Sequence, residues 1–77
     1  MNKQELERLM ELISIEDIEE ISSILQEKKK NNEILEYELQ YENGKLICVD
    51  ILEEHLFDAK FWHRIFEDEI FTNLIYE

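Results

Sequence analysis

Proline is absent from this 77-residue chain, and glycine and cysteine each occur once. Gly44 alone cannot build the glycine-rich loops that cradle phosphate or a dinucleotide, so P-loop and Rossmann-type chemistry are excluded. Cys48 alone excludes an intramolecular disulfide and fits a reducing compartment. Cations are also scarce: 8 Lys and Arg stand against 20 Asp and Glu, a formal net charge of −12. Such a field repels nucleic acid and anionic membrane and draws in basic surfaces, so direct nucleic-acid or membrane binding is not expected. No apolar run approaches the ~18 residues of a membrane span. The opening MNKQELERLMELI carries acids where a signal peptide needs an unbroken apolar stretch, which predicts a cytoplasmic protein.

What is present is apolar enough to fold. A hydrophobic share of 44% with eight aromatics exceeds what a disordered acidic tail carries. A chain of this length holds one core at most, and no repeat, low-complexity linker or boundary appears, so residues 1–77 are read as one small acidic domain.

Asn2 followed by Glu5 reads as a capping box. Leu6, Leu9, Met10 and Ile13 recur at helical spacing behind it, predicting a helix from about 3 to 12. Ser14 is expected to cap a second helix starting at Ile15, with Ile13 and Ile18 as a hydrophobic staple. That helix opens with Glu16, Asp17, Glu19 and Glu20 and closes with Lys28, Lys29 and Lys30, the order that complements the macrodipole. Its apolar face is Ile18, Ile21, Ile24 and Leu25, and Asn31 and Asn32 are its expected stop.

The stretch ILEYELQYENGKLICVDIL then predicts an antiparallel hairpin. Glu42-Asn43-Gly44 is expected as a three-residue loop pairing Leu39 with Ile47 and Tyr37 with Val49. All the strongly apolar pairs then share one face, while Glu36, Glu38 and Asp50, with Gln40, Leu46 and Cys48, share the other. A two-residue Asn-Gly turn would instead set Tyr37 opposite Asp50.

In the last third, Asp58 is placed as the cap of a third, aromatic helix with the stripe Phe61, Trp62, Ile65 and Phe66, ending near Asp68. IFTNLIY reads as a third strand, with a helical tail as the alternative. The fold class expected is α+β: two N-terminal helices, a β-hairpin, a C-terminal aromatic helix and the added strand.

No catalytic constellation stands out, since carboxylate pairs are numerous simply because Glu is common. His55 and His63, with Glu54, Asp58 and Glu67, supply metal-ligand atoms but follow no recognised ligand spacing. Cys48 is read as a quiet cysteine on the sheet. No cofactor or metal is expected. The aromatic cluster is read as core, with Trp62, Phe57 or Tyr76 as the anchors of an interface in the alternative.

The distribution of acid remains. Residues two apart on a strand lie roughly 7 Å apart, so Glu36, Glu38 and Asp50 form a carboxylate lattice comparable to backbone phosphates. Glu16, Asp17, Glu20, Glu67 and Asp68 extend it. By size, acidity and the acidic face of ILEYELQYENGK, the chain resembles the small acidic proteins with which phages and mobile elements block host defence. Anti-CRISPR and other anti-restriction inhibitors, several of which imitate nucleic acid, are the type. The abundance of Ile, Glu, Lys and Asn, with a single alanine, fits an AT-rich bacterial or phage genome. The resemblance implies a non-enzymatic inhibitor of a nucleic-acid-handling host effector such as a Cas nuclease, bound through its basic surface. The alternatives are an antitoxin or immunity protein facing a cognate toxin, and a phage regulatory or structural domain that forms a homodimer through its aromatic end.

Overall fold

The computed structural model describes residues 1–54 and 59–75. Helices α1 (Lys3–Ser14) and α2 (Ile18–Lys30) precede strands β1 (Glu36–Glu42), β2 (Lys45–Glu54), β3 (Lys60–Ile65) and β4 (Ile70–Ile75). The strands form one antiparallel meander in the order β1-β2-β3-β4. The class is α+β.

The α1 capping box is complete: Asn2 Oδ1 accepts from the Glu5 amide at 2.9 Å and Glu5 Oε1 from the Asn2 amide at 3.0 Å. Leu6, Leu9, Leu12 and Ile13 form the buried stripe. The corner after α1 departs from the expected one. Ser14 is not an N-cap; it ends α1 and its Oγ donates to the Glu11 carbonyl at 2.6 Å. The chain turns at Glu16, whose φ is 53°, while the amides of Glu16 and Asp17 reach back to the carbonyls of Ile13 and Leu12. That is a Schellman closure. Asp17 then caps α2, accepting from the Glu20 amide at 3.2 Å. One closure satisfies both the carbonyls of α1 and the amides of α2, which a cap at Ser14 could not do. Helix α2 ends as the sequence suggests, with Asn32 at φ 60° and the Glu33 amide bonded to the Lys28 carbonyl.

The hairpin matches neither expected register throughout. Asn43 and Gly44 both have positive φ, 52° and 80°, the signature of a two-residue type I′ turn, and Glu42 pairs with Lys45. A bulge follows: the pairing shifts between Gln40 and Tyr41, leaving Ile47 without a partner. Leu39 therefore faces Val49 and Tyr37 faces Ile51. The inserted residue restores the alternation that buries the apolar pairs, so the predicted faces survive although the predicted partners do not. It also exchanges two side chains near the turn: Leu46 is in the core and Ile47 is exposed.

The aromatic helix is replaced by strand. Phe61, Trp62, Ile65 and Phe66 fit a helical stripe, yet KFWHRI is β3 and Phe66 to Glu69 form the turn into β4, closed by the Phe66 amide on the Glu69 carbonyl at 2.8 Å. Aromatic and branched residues favour the pleated surface, and β2 offers a full ladder to pair against. IFTNLI is a strand, as read. Asp58, with His55, Phe57 and Tyr76, lies outside the described residues.

Both helices pack on one sheet face. Leu9, Ile21, Leu25, Val49, Ile51 and Ile65 are the largest fully buried side chains, each contributing about 1.5–3 kcal/mol on burial. The other sheet face carries no helix among the described residues.

Candidate protein-interaction surface

Alternation along each strand, combined with the register, gives the uncovered face residue by residue. Glu36, Leu52, Trp62 and Asn73 lie in one row across the four strands, and Glu38, Asp50, Arg64 and Phe71 in the next. The face is thus graded, acidic on β1 and aromatic on β3 and β4. Phe66 and Phe71 meet edge to face at 6.0 Å, and the Arg64 guanidinium sits over the Trp62 ring at 4.8 Å. A shallow pocket of about 260 Å³ is lined by Trp62, Arg64, Phe66, Phe71 and Asn73.

The carboxylate lattice is not formed as expected. Glu38 is exposed, and Glu36 is exposed but paired with Lys29, Nζ to Oε1 2.9 Å. The Lys29 ammonium, then the Tyr37 amide, hold the Glu36 carboxyl below its ordinary pKa. Asp50 is not displayed at all. It is buried, receives Arg64 Nε at 2.8 Å on Oδ1 and Nη2 at 3.1 Å on Oδ2, and accepts from Gln40 Nε2 at 3.3 Å. Bidentate Asp50 in turn raises the Arg64 pKa. A carboxylate at a central strand position, flanked on both sides by other strands, loses solvent and must take a cation.

Glu16, Asp17 and Glu20 belong to the α1–α2 corner, on the helical layer, and so do not share the face of Glu36 and Glu38. Glu67 and Asp68, with Glu69, form the exposed β3–β4 turn. None of these six residues forms an ion pair among the described residues, whereas Lys3, Lys28, Lys29 and Arg64 are all engaged. Lys28 closes on Glu5 and lies 3.7 Å from Glu33; burial disfavours its charge, but these acids outweigh that and raise its pKa. The helix corner and the β3–β4 turn therefore each present a run of exposed or half-exposed acids that no cation of the described residues neutralises.

Sequence reasoning missed a polar seam on the helical side. His63 Nε2–H donates to Glu53 Oε1 at 2.8 Å, and His63 Nδ1 lies 2.9 Å from Thr72 Oγ1. Glu53 also receives the Met1 ammonium. Burial works against the Glu53 charge, but these two donors prevail and lower its pKa. The signal was in the alternation of β3: His63 stands between Phe61 and Ile65 on the buried face and so required a polar partner. A cavity of about 560 Å³ beside it is lined by Leu6, Phe61, Ile70 and the seam itself. No side-chain polar atom is left buried without a partner among the described residues. Among them also, no group of three metal-ligating side chains converges, and His63 and Glu67 belong to strand and turn rather than to one helical turn. Cys48 is buried, and desolvation, then the Asp50 charge, push its thiol pKa up, which makes it a poor nucleophile. No helix of the described residues is long and apolar enough to cross a membrane.

Comparison with protein-family models, with curated proteins and with solved structures gives no match to this chain.

Proposed function

We propose that this protein is a non-enzymatic inhibitor that docks its uncovered sheet face on a basic, nucleic-acid-binding surface of a host effector, in the manner of a phage-borne anti-CRISPR acting in the bacterial cytosol. The observation that carries the reading is the composition of that face. Trp62, Arg64, Phe66 and Phe71 occupy its β3–β4 side, the residue types that anchor protein interfaces. Glu36 and Glu38 stand on its β1 side and Glu67 to Glu69 at the β3–β4 turn, so a complementary partner presents an apolar pocket flanked by Lys and Arg. Acid supplies approach and orientation, and the aromatic side supplies residence. The carboxylates imitate nucleic acid only in net charge, because Asp50 is withdrawn from the array.

The test uses a panel of purified CRISPR-associated nucleases and follows target cleavage with and without the protein at rising salt. Inhibition of one member is expected, falling as salt rises. Glu38→Lys with Glu67→Lys should relieve it mainly through association rate, and Trp62→Ala mainly through dissociation. Inhibition unchanged in both variants would remove this face from consideration.

A further inference from the structure

The two edges of the sheet are built differently. Edge strand β1 carries Glu36, Glu38 and Glu42, and Lys29 reaches over it to Glu36. Edge strand β4, Ile70-Phe71-Thr72-Asn73-Leu74-Ile75, carries no charge in a chain that is 36% charged. It is also open: Phe71 is 49% exposed, Leu74 44% and Ile75 39%, and no strand of the described residues pairs with its outer side. Folded proteins guard such edges with charge, proline or a covering element, and among the described residues β4 has none of these.

The bond from the Phe66 amide to the Glu69 carbonyl sets the phase of the β3–β4 ladder. Counting on in alternation, Phe71, Asn73 and Ile75 turn their backbone groups toward β3, while Ile70, Thr72 and Leu74 turn theirs outward. We propose that β4 pairs with β4 of a second copy, antiparallel about a two-fold axis at Thr72, so that two four-stranded sheets join into one. In this register Thr72 faces Thr72 and Ile70 faces Leu74 of the other copy, and all outward amides and carbonyls from 70 to 74 find partners. Opposite residues then lie on the same face, so both helical layers stay on one side. Centring on Asn73 instead would leave Ile70 without a partner among the described residues.

Charge placement favours a second copy over an unrelated strand. The two-fold sends the acidic turns Glu67 to Glu69 to opposite ends of the joined sheet and both β1 edges to its outer margins.

Sedimentation equilibrium over a concentration series is expected to show twice the 9.5 kDa of one chain, dissociating on dilution. Salt should strengthen this association by screening two like-charged chains, the opposite of its effect on docking to a basic partner. Leu74→Pro removes one outward amide without touching the β3 ladder, and Leu74→Lys places charge on the edge. Each is expected to be monomeric with unchanged circular dichroism, and the lysine variant decides if the proline variant fails to fold. In a Cys48→Ser background, Thr72→Cys should cross-link to itself under mild oxidation, the Cα separation of such a pair being about 5.5 Å. A monomer at every concentration, a dimer that salt dissociates, a dimer indifferent to Leu74→Lys, or cross-linking at Asn73→Cys but not Thr72→Cys would each overturn the proposal.

Discussion

Asp50 and Arg64 face each other across β2 and β3, joined by two hydrogen bonds of 2.8 and 3.1 Å in the middle of the uncovered sheet face. The pair separates the acidic side of that face from its aromatic side. Arg64 also stacks on Trp62, so one guanidinium ties a buried carboxylate to the proposed interface anchor.

This pair makes Asp50 a stability residue. Asp50→Asn keeps the shape, removes the charge and leaves Arg64 without its bidentate acceptor. A loss of about 1–2 kcal/mol in urea unfolding is expected. Glu38→Gln, on an exposed side chain in the same row, should fall within about 0.5 kcal/mol. Equal effects at the two positions would contradict the burial of Asp50.

The α1–α2 corner separates two capping schemes. Asp17→Ala should cost ~1 kcal/mol, and Ser14→Ala much less, because only Asp17 accepts from a free amide of α2. Glu16 holds a left-handed φ with an L side chain, so Glu16→Gly should raise stability by about 1 kcal/mol. Thermal melts of the three variants rank them directly.

Gly44 has φ 80° and nothing within 4 Å of where a Cβ would stand. The cost of Gly44→Ala is therefore conformational alone, about 1–2 kcal/mol, with no steric addition. No measurable loss on chemical denaturation would mean that the turn is not of type I′.

Glu53 gives the fold a pH dependence. Its pKa in the folded state lies below the ordinary value because the Met1 ammonium and His63 favour its charge over the opposing effect of burial. The unfolded chain then binds the proton first as pH falls. Stability from this seam is complete above the unfolded carboxylate value, about 4.3 for Glu, and is lost as pH drops through the depressed folded value. Glu53→Gln should flatten that acid limb in unfolding curves taken from neutral to acidic pH. A limb of unchanged slope would assign it to other carboxylates, Glu5 and Glu36 first, since both are also held below their ordinary values by lysines.

Much of the architecture could be read locally. The Asn2–Glu5 capping box, the lysines closing α2, the Asn31–Asn32 stop and the apolar face of Tyr37, Leu39, Val49 and Ile51 depend on contacts within a few residues or on alternation alone. The aromatic segment was misread because Phe61, Trp62, Ile65 and Phe66 satisfy both periods, whereas IFTNLI was legible as a strand. Only the presence of β2 alongside decides for strand. For the candidate surface, Glu38, Glu67 and Asp68 were legible as exposed acids. The place of Asp50 was not, since its burial follows from neighbours on both sides of β2.

The amino-acid order by itself determined the net charge, the α1 capping box, the stop of α2, the hairpin position and the lack of charge in residues 70–75, because these are properties of composition and short spacing. Tertiary structure alone decided that a bulge at Ile47 would carry Leu46 inward, that Arg64 would neutralise Asp50, that His63 would find Glu53 and Thr72, and that the uncharged strand would lie at an edge. Each of these depends on which strands become neighbours, and strand pairing is a long-range choice that the hydrophobic burial of the whole sheet makes at once.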